Sequence, residues 1–324
     1  MHPDTGDDQL DEALLSVQPV EQREGIVISC GDGVAKHLAS VLAAATSRDH
    51  VSAAPDDVES VIAAASPLPT ALVGSLEDIG HVGTWPGFFG ERVGVLTGTT
   101  GRDLARLALR TIAGPRAVQR TVLATGPTGS RAFEADALSL DELVMELEVG
   151  PAQTAFIESH GRECCVNLPG GMICGLDAAN VQLPLVPGTV TRLPPCLQGD
   201  GCYREGLLPH EFLTAQQIDA DLIVVESCNA ISLGVNSEPL AVSVTLRMLQ
   251  GTCRAVIGAV GNHAPHPDAY PTLRRLLHEG LPLGDILAQL NRMGTAVVGP
   301  FGRLGLLGDP GLVLALGPAK REGS

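Results

Sequence analysis

From residue 25 onward, short, continuously apolar runs alternate with longer stretches whose apolar residues recur at helical spacing. That alternation leaves few architectures open. The apolar runs are residues 25–30, 70–74, 91–97, 120–125, 154–159, 222–225 and 254–258. Helical stretches are expected at 34–46, 102–112, 140–147, 239–250, 271–279 and 283–293. In the second of these, Leu104, Leu107, Leu109 and Ile112 fall mostly on one face. Strands alternating with helices imply βαβ units and a mostly parallel sheet covered on both faces. A parallel strand buried on both faces has no polar side to show, which explains runs that are apolar throughout. The fold class is therefore α/β, a three-layer sandwich with a mostly parallel central sheet flanked by helices.

Composition decides how such a fold is filled. Hydrophobic residues make up 44% of the 324 residues but aromatic ones only 3%, so the core is built from Leu, Val, Ile and Ala. The formal charge is −16. A surface of that sign cannot neutralise phosphates, which excludes nucleic acid as a non-specific partner and disfavours anionic membranes. Cationic partners are favoured instead. No apolar run reaches the roughly 18 residues that a membrane span needs. The first 24 residues hold seven acids and one Arg and no apolar segment. They read as a disordered acidic arm rather than an export signal. A cytoplasmic protein is expected on that basis, with its eight cysteines as reduced thiols. The chain divides into the arm (1–24), an N-terminal α/β subdomain (25–125), a larger domain (126–319) and a short tail (320–324).

In an open α/β sheet, reactive groups collect beyond the carboxyl ends of strands. Two such ends carry suitable side chains. One apolar strand runs through Phe156-Ile-Glu-Ser into His160-Gly161, and another runs through Leu222-Ile-Val-Val-Glu-Ser into Cys228. A thiol and an imidazole at neighbouring strand ends form a nucleophile with its acid or base. Gly161 lets a substrate backbone approach, and its N–H is an oxyanion donor candidate. Either residue alone is ordinarily structural, and the pair is what carries the hypothesis.

These motifs resemble the caspase-like cysteine peptidases, the clan of caspases, legumains, gingipains, clostripain, separase and CHAT-domain proteases. Its members place a His-Gly at one strand end and the nucleophilic Cys after a later apolar strand. Three further segments are similar to the gingipain and CHAT branches. They are Ala220-Asp-Leu-Ile-Val-Val-Glu-Ser-Cys228, residues 248–258, and Leu306-Leu-Gly-Asp-Pro310. The likeness covers 150–315 well and 25–125 faintly. One departure is the 68-residue His–Cys separation, longer than in caspases or gingipains. The segment from Cys164 to Cys202 accounts for the excess. The resemblance implies a caspase-like fold for 126–319, with 25–125 either a second, inactive unit or an extension of the sheet. It also implies a Cys228–His160 dyad, an oxyanion donor at Gly161 and no cofactor. The residue two before the nucleophile commonly lines the pocket for the substrate residue preceding the cut. By resemblance Glu226 would face that pocket and favour Arg or Lys. Asp221 and Glu158 are lesser acidic substrate-binding candidates, and the alternative for Glu226 is a pair with an internal Arg.

Other features are weaker signals. Cys164, Cys165, Cys174, Cys196 and Cys202 could supply thiolates to zinc, but the short C-x₂-C spacing is missing. Reduced thiols in a substrate-binding flap fit better, and a Cys196–Cys202 disulfide would fit only an exported protein. Gly98-Thr-Thr-Gly101 precedes a helix but lacks both G-x-G-x-x-G and the Walker lysine, so it reads as a tight βα turn. His263 and His266 read as residues of a loop beside the substrate groove rather than as metal ligands. The expectation is a cysteine endopeptidase acting on a protein or peptide, without cofactor or metal. A catalytically silent regulatory pseudopeptidase, and a thiol acyltransferase or nucleotide-dependent α/β enzyme, are the competing readings.

Overall fold

The computed structural model describes residues 22–31, 33–80, 92–126, 138–176, 212–233, 240–264, 266–298 and 303–314. The predicted apolar runs become β1 (Ile26–Cys30), β3 (Thr70–Gly74), β4 (Val93–Leu96), β5 (Thr121–Thr125), β6 (Ala152–Glu158), β11 (Ala220–Glu226) and β12 (Ala255–Ala259). Four further strands, unexpected from the sequence, are the edge strand β2 (Asp49–Ala53) and the short β7 (Gly161–Arg162), β8 (Cys165–Leu168) and β9 (Gly171–Cys174). So too are β10 (Phe212–Thr214) and β13 (Leu304–Leu307). The helices are α1 (Val34–Ala45), α2 (Val58–Ala65), α3 (Leu76–Gly80), α4 (Gly101–Ala113), α5 (Leu140–Val149), α6 (Val244–Gln250), α7 (Ala269–His278) and α8 (Leu283–Val298). Four start on a Ser or Thr cap, Ser75 before α3, Thr100 before α4, Ser139 before α5 and Ser243 before α6. Thr100 Oγ1 accepts from Asp103 N–H at the start of α4, and Ser139 with Glu142 forms a capping box on α5.

The main sheet runs β2-β1-β3-β4-β13-β12-β11-β6-β5. Every extended ladder is parallel except β12–β13, and β13 meets β4 at the single pair Leu307–Val95. Strands β2, β1, β3 and β4 form one parallel block and β12, β11, β6 and β5 another, with β13 between them. Segments 25–125 and 126–319 share this one sheet, and β5 pairs with β6 at its far edge. The carboxyl ends of β6, β11 and β12 emerge at one edge, and residues 308–310 lie at the other, against Gly94 at the start of β4 and Arg254 just before β12. The Gly98–Gly101 turn follows β4 and leads into α4. Its helix start is capped by Thr100.

Period-two alternation sorts the strand residues into two cores. Ile223, Val225, Ile157 and Val256 pack on one face with residues of α1, α4 and α6. Leu222, Val224, Phe156, Ile257 and Leu306 pack on the other with residues of α7 and α8. This is the three-layer sandwich expected.

A buried charge network fastens the two blocks together. Asp309, just past β13, is 0% exposed. It accepts from Arg48 Nη1 and Nη2 and from Arg23 Nη1, each at 2.8 Å, and from Gly311 N–H at 2.9 Å. Arg23 was expected in a disordered arm, but its side chain is buried in this network. Residues 1–21 lie outside the described part. Two glycines allow β13 to come so close. Gly308 (φ +137°) has a backbone that side chains rarely adopt, and a Cβ on Gly94 would overlap the Gly308 carbonyl.

Burial by itself raises the Asp309 pKa, but the Arg48 and Arg23 charges and the Gly311 N–H more than offset it, so the net shift is downward. A depressed carboxylate contributes stability above its unfolded pKa, near 4, and that contribution is lost as pH falls through the native value. Removing one partner of a buried pair strands the others. Asp309→Ala should therefore lower stability at pH 7 by about 3–5 kcal/mol in urea unfolding. The loss should shrink under acid conditions.

Candidate active site

β6 and β11 pair in parallel register along their length, with Glu226 opposite Glu158 at the carboxyl end. The pairing continues one residue further, where Ser159 N–H donates to Glu226 O at 3.3 Å. His160 and Cys228 each lie two residues beyond the paired glutamates, so the sheet register brings both to the same edge. His160 is exposed and Cys228 partly so. The strand ends interlock closely. A Cβ on Gly161 would overlap Ser227 Oγ and Cys165 O, and one on Gly126 would overlap Ser159 Oγ. Glycine at 161 is thus a packing requirement of the turn itself.

After His160 the chain enters a second sheet of order β10-β9-β8-β7. Asn167 N–H donates to His160 O at 2.9 Å, and Gly161 faces Val166 in the antiparallel β7–β8 pair. Hydrogen-bonded and non-hydrogen-bonded pairs alternate along such a ladder. Gly161–Val166 is therefore a non-bonded pair, and the Gly161 N–H points away from β8. On β8 and β9, Cys165 faces Cys174 in a small sulfur-rich cluster with Met172. The six described cysteines are thiols. Cys196 and Cys202 lie outside the described residues. No group of three or more His, Cys, Asp or Glu able to hold a metal occurs among the described residues.

Beyond Cys228 the chain turns sharply. Asn229 has φ +54°, a region Asn tolerates better than most residues. Its N–H donates to Gly261 O at 2.7 Å, and Ile231 N–H donates to Ala259 O at 2.9 Å. These bonds tie the Cys228 turn to the segment after β12. There His263 meets the nucleophile candidate: its N–H lies 3.4 Å from Cys228 Sγ, and its C=O accepts from the same thiol at 3.4 Å. The sequence marked His263 only as a loop residue beside the groove. Its contact with sulfur runs through the backbone, which no sequence motif announces.

Glu226 is 1% exposed and lies 3.8 Å from His263 Nε2. It is enclosed rather than on the floor of an open pocket, and among the described residues its charged neighbour is this imidazole and not the internal arginine of the alternative. Glu158 is 5% exposed beside it. Glu158 Oε2, Glu226 Oε2 and both His263 ring nitrogens are buried with no hydrogen-bond partner among the described residues. Burial first, and the Glu226 charge second, push the Glu158 carboxyl up to about 7, while His263 pulls the other way. Asp221 does not join this cluster, and its substrate-binding assignment is corrected. It sits at the opposite end of β11, 0% exposed. There it accepts from Arg116 N and Nε at 2.8 Å and from Arg254 Nη1 at 2.6 Å.

No protein-family model and no curated protein matches the chain. Three-dimensional comparison does find similar structures. One is described only as a protease, with TM-score 0.51 and 12% identity over 91% of this chain and 78% of that one. Another is the Arg-specific cysteine proteinase gingipain R, with TM-score 0.53 and 11% identity over 90% of this chain and 78% of that one. A third is the complex of Porphyromonas gingivalis RgpB pro- and mature domains, with TM-score 0.51 and 10% identity over 89% and 79%. At such identities the likeness is one of fold, and the fold is the caspase-like one found in gingipain R.

The raised Glu158 pKa has a consequence for stability. Its carboxyl ordinarily titrates near 4.5, and the folded value is about 7. The unfolded chain releases this proton first, so folding stability falls as pH rises between those values and levels off above them. Glu158→Gln carries no such proton. Urea midpoints for wild type and variant should agree best near pH 4.5, with the variant gaining steadily up to pH 7. Parallel curves across that range would contradict the burial argument.

Proposed function

We propose that the protein is a cysteine endopeptidase that cuts a protein or peptide chain with Cys228 as nucleophile and His160 as its acid–base partner. The observation that carries this reading is the register of β6 and β11, which delivers an exposed imidazole and a partly exposed thiol to one sheet edge. The Cys228 thiolate attacks the scissile carbonyl, and the negative oxygen so formed takes hydrogen bonds from the Gly161 and Cys228 N–H groups. His160 then protonates the leaving amine. Water, deprotonated by the same imidazole, hydrolyses the thioester and frees the thiol. No cofactor is required at any step. The fold shared with gingipain R supports the reading, though a fold by itself does not assign an activity.

The second part of the proposal is a preference for Arg or Lys before the cut. Glu226 is too enclosed for a direct ion pair, so the preference acts through the field of its carboxylate, with Glu158, raised to about 7, adding only its ionised fraction. Low surrounding polarity strengthens that field.

Two measurements test these parts separately. Cys228→Ala should abolish peptide cleavage and His160→Ala should reduce it by at least about 100-fold, on the scale of a lost general acid–base. Retained cleavage by Cys228→Ala ends the nucleophile assignment. For the preference, paired peptides with Arg or its uncharged isostere citrulline isolate charge from shape. Wild type should favour Arg by at least about tenfold in kcat/KM, and Glu226→Gln should narrow the ratio. Equal rates for the two peptides would remove the carboxylates from specificity.

A further inference from the structure

Taking Cys228 as the nucleophile, we propose that His263 is its positioning residue: the ring, lodged against Glu226, holds its own peptide group on the Cys228 sulfur. Three observations meet here. The peptide N–H and C=O of His263 lie on the same sulfur at 3.4 Å each, so a single residue determines where Sγ sits. The His263 ring is 6% exposed and 3.8 Å from Glu226, so it acts as the buried anchor of an otherwise open loop, between exposed Asn262 and Ala264. The loop is also stitched to the Cys228 turn by the Asn229–Gly261 bond, so neither segment shifts alone.

The chemistry follows from the donor. In the thiol the S–H can donate to the His263 carbonyl. Once the proton has left, the N–H becomes a charge-assisted donor to the thiolate, stronger than its neutral counterpart. Holding that N–H in place favours the reactive form and fixes the direction of attack. The titratable groups around the sulfur among the described residues are His160 and Glu158 from the β6 end, Glu226 from β11 and His263 itself. His263 touches the sulfur through its backbone. A side-chain substitution cannot delete that N–H, so its effect must come from releasing the anchor.

The test reads Cys228 alkylation by iodoacetamide against pH, with the labelled peptide identified by mass spectrometry so that other thiols do not interfere. His263→Ala should slow alkylation at pH 7 by about tenfold and move the whole profile to higher pH. His263→Phe, which fills the same volume without a donor, should do the same and serves if the Ala variant does not fold. His263→Gln, able to donate to Glu226, should restore most of the rate. Glu226→Ala should match His263→Ala, with no further loss when the two are combined. A wild-type profile in both the Ala and Phe variants overturns the proposal, as does an additive double variant. Peptide turnover is followed in parallel. A wild type that fails to cleave, yet shows this His263-dependent profile, counts against the peptidase reading and leaves the positioning role standing.

Discussion

A carboxylate with no access to water holds the two halves of this sheet in register. Asp309 is gripped by Arg23 and Arg48, and all three side chains are almost fully buried. Such a cluster is not a cheap source of stability, because desolvating three charges costs about as much as their attraction returns. What it determines is geometry. β13 is the one strand that touches both parallel blocks, and Asp309 follows it by two residues. Pulling on Asp309 from the N-terminal side seats β13 against β4. β13 in turn sets β12, and β12 sets β11. The nucleophile candidate therefore inherits its place from a salt bridge at the far edge of the sheet.

The near edge is built on the opposite principle. Where Asp309 is fully satisfied, Glu158, Glu226 and His263 are buried with ring nitrogens and carboxylate oxygens lacking hydrogen-bond partners among the described residues. A buried, half-satisfied polar group is destabilising, and a sequence selected only for folding would put leucine there. Unsatisfied polar groups concentrated at a sheet edge, beside a partly exposed thiol, are the kind of local inconsistency that marks function. The contrast between the two edges is more informative than either alone. The same strand β11 carries Asp221, paired with two arginines, at one end and Glu226, loosely opposed by one imidazole, at the other.

How much of this was legible in the residues follows from burial. The strands buried on both faces, such as β6 and β11, announce themselves because every position is apolar. The edge strand β2, with the sequence Asp49-His-Val-Ser-Ala53, has one neighbour and mixed exposure, so no periodicity betrays it. Helix α2 buries only Val58 and Ile62, and the surrounding Pro55 and acidic residues read as loop. The short strands after His160 are two to four residues each, mix Gly, Cys and Asn with apolar residues, and depend on pairing that lies outside any local window. Along β11 the residues name the acidic candidates but not the end of the strand at which each one works. Asp221 and Glu226 lie on the same strand and serve opposite edges, and only the arginines at 116 and 254 reveal it. His263 was invisible for another reason, since its link to the sulfur uses groups that every residue possesses.

Identity of 10–12% to proteins of the same fold raises the question of what such distant chains still have in common. Packing is a poor candidate, because apolar residues of similar volume substitute for one another with modest cost. Register is a better one. A one-residue slip between β6 and β11 would turn the entire strand over, moving Phe156 and Leu222 to the other core and rotating the strand-end residues away from each other. Two buried faces make that slip prohibitively unfavourable. The alternating pattern therefore does two things at once: it fills the cores, and it fixes how far His160 and Cys228 extend past the sheet. A catalytic pair carried at strand ends needs no shared motif beyond its own residues and the glycine that lets the turns interlock. The acid excess takes on a more specific meaning in this setting. Most of the −16 charge says nothing about chemistry, but two of the carboxylates contributing to it are held in register directly behind the thiol.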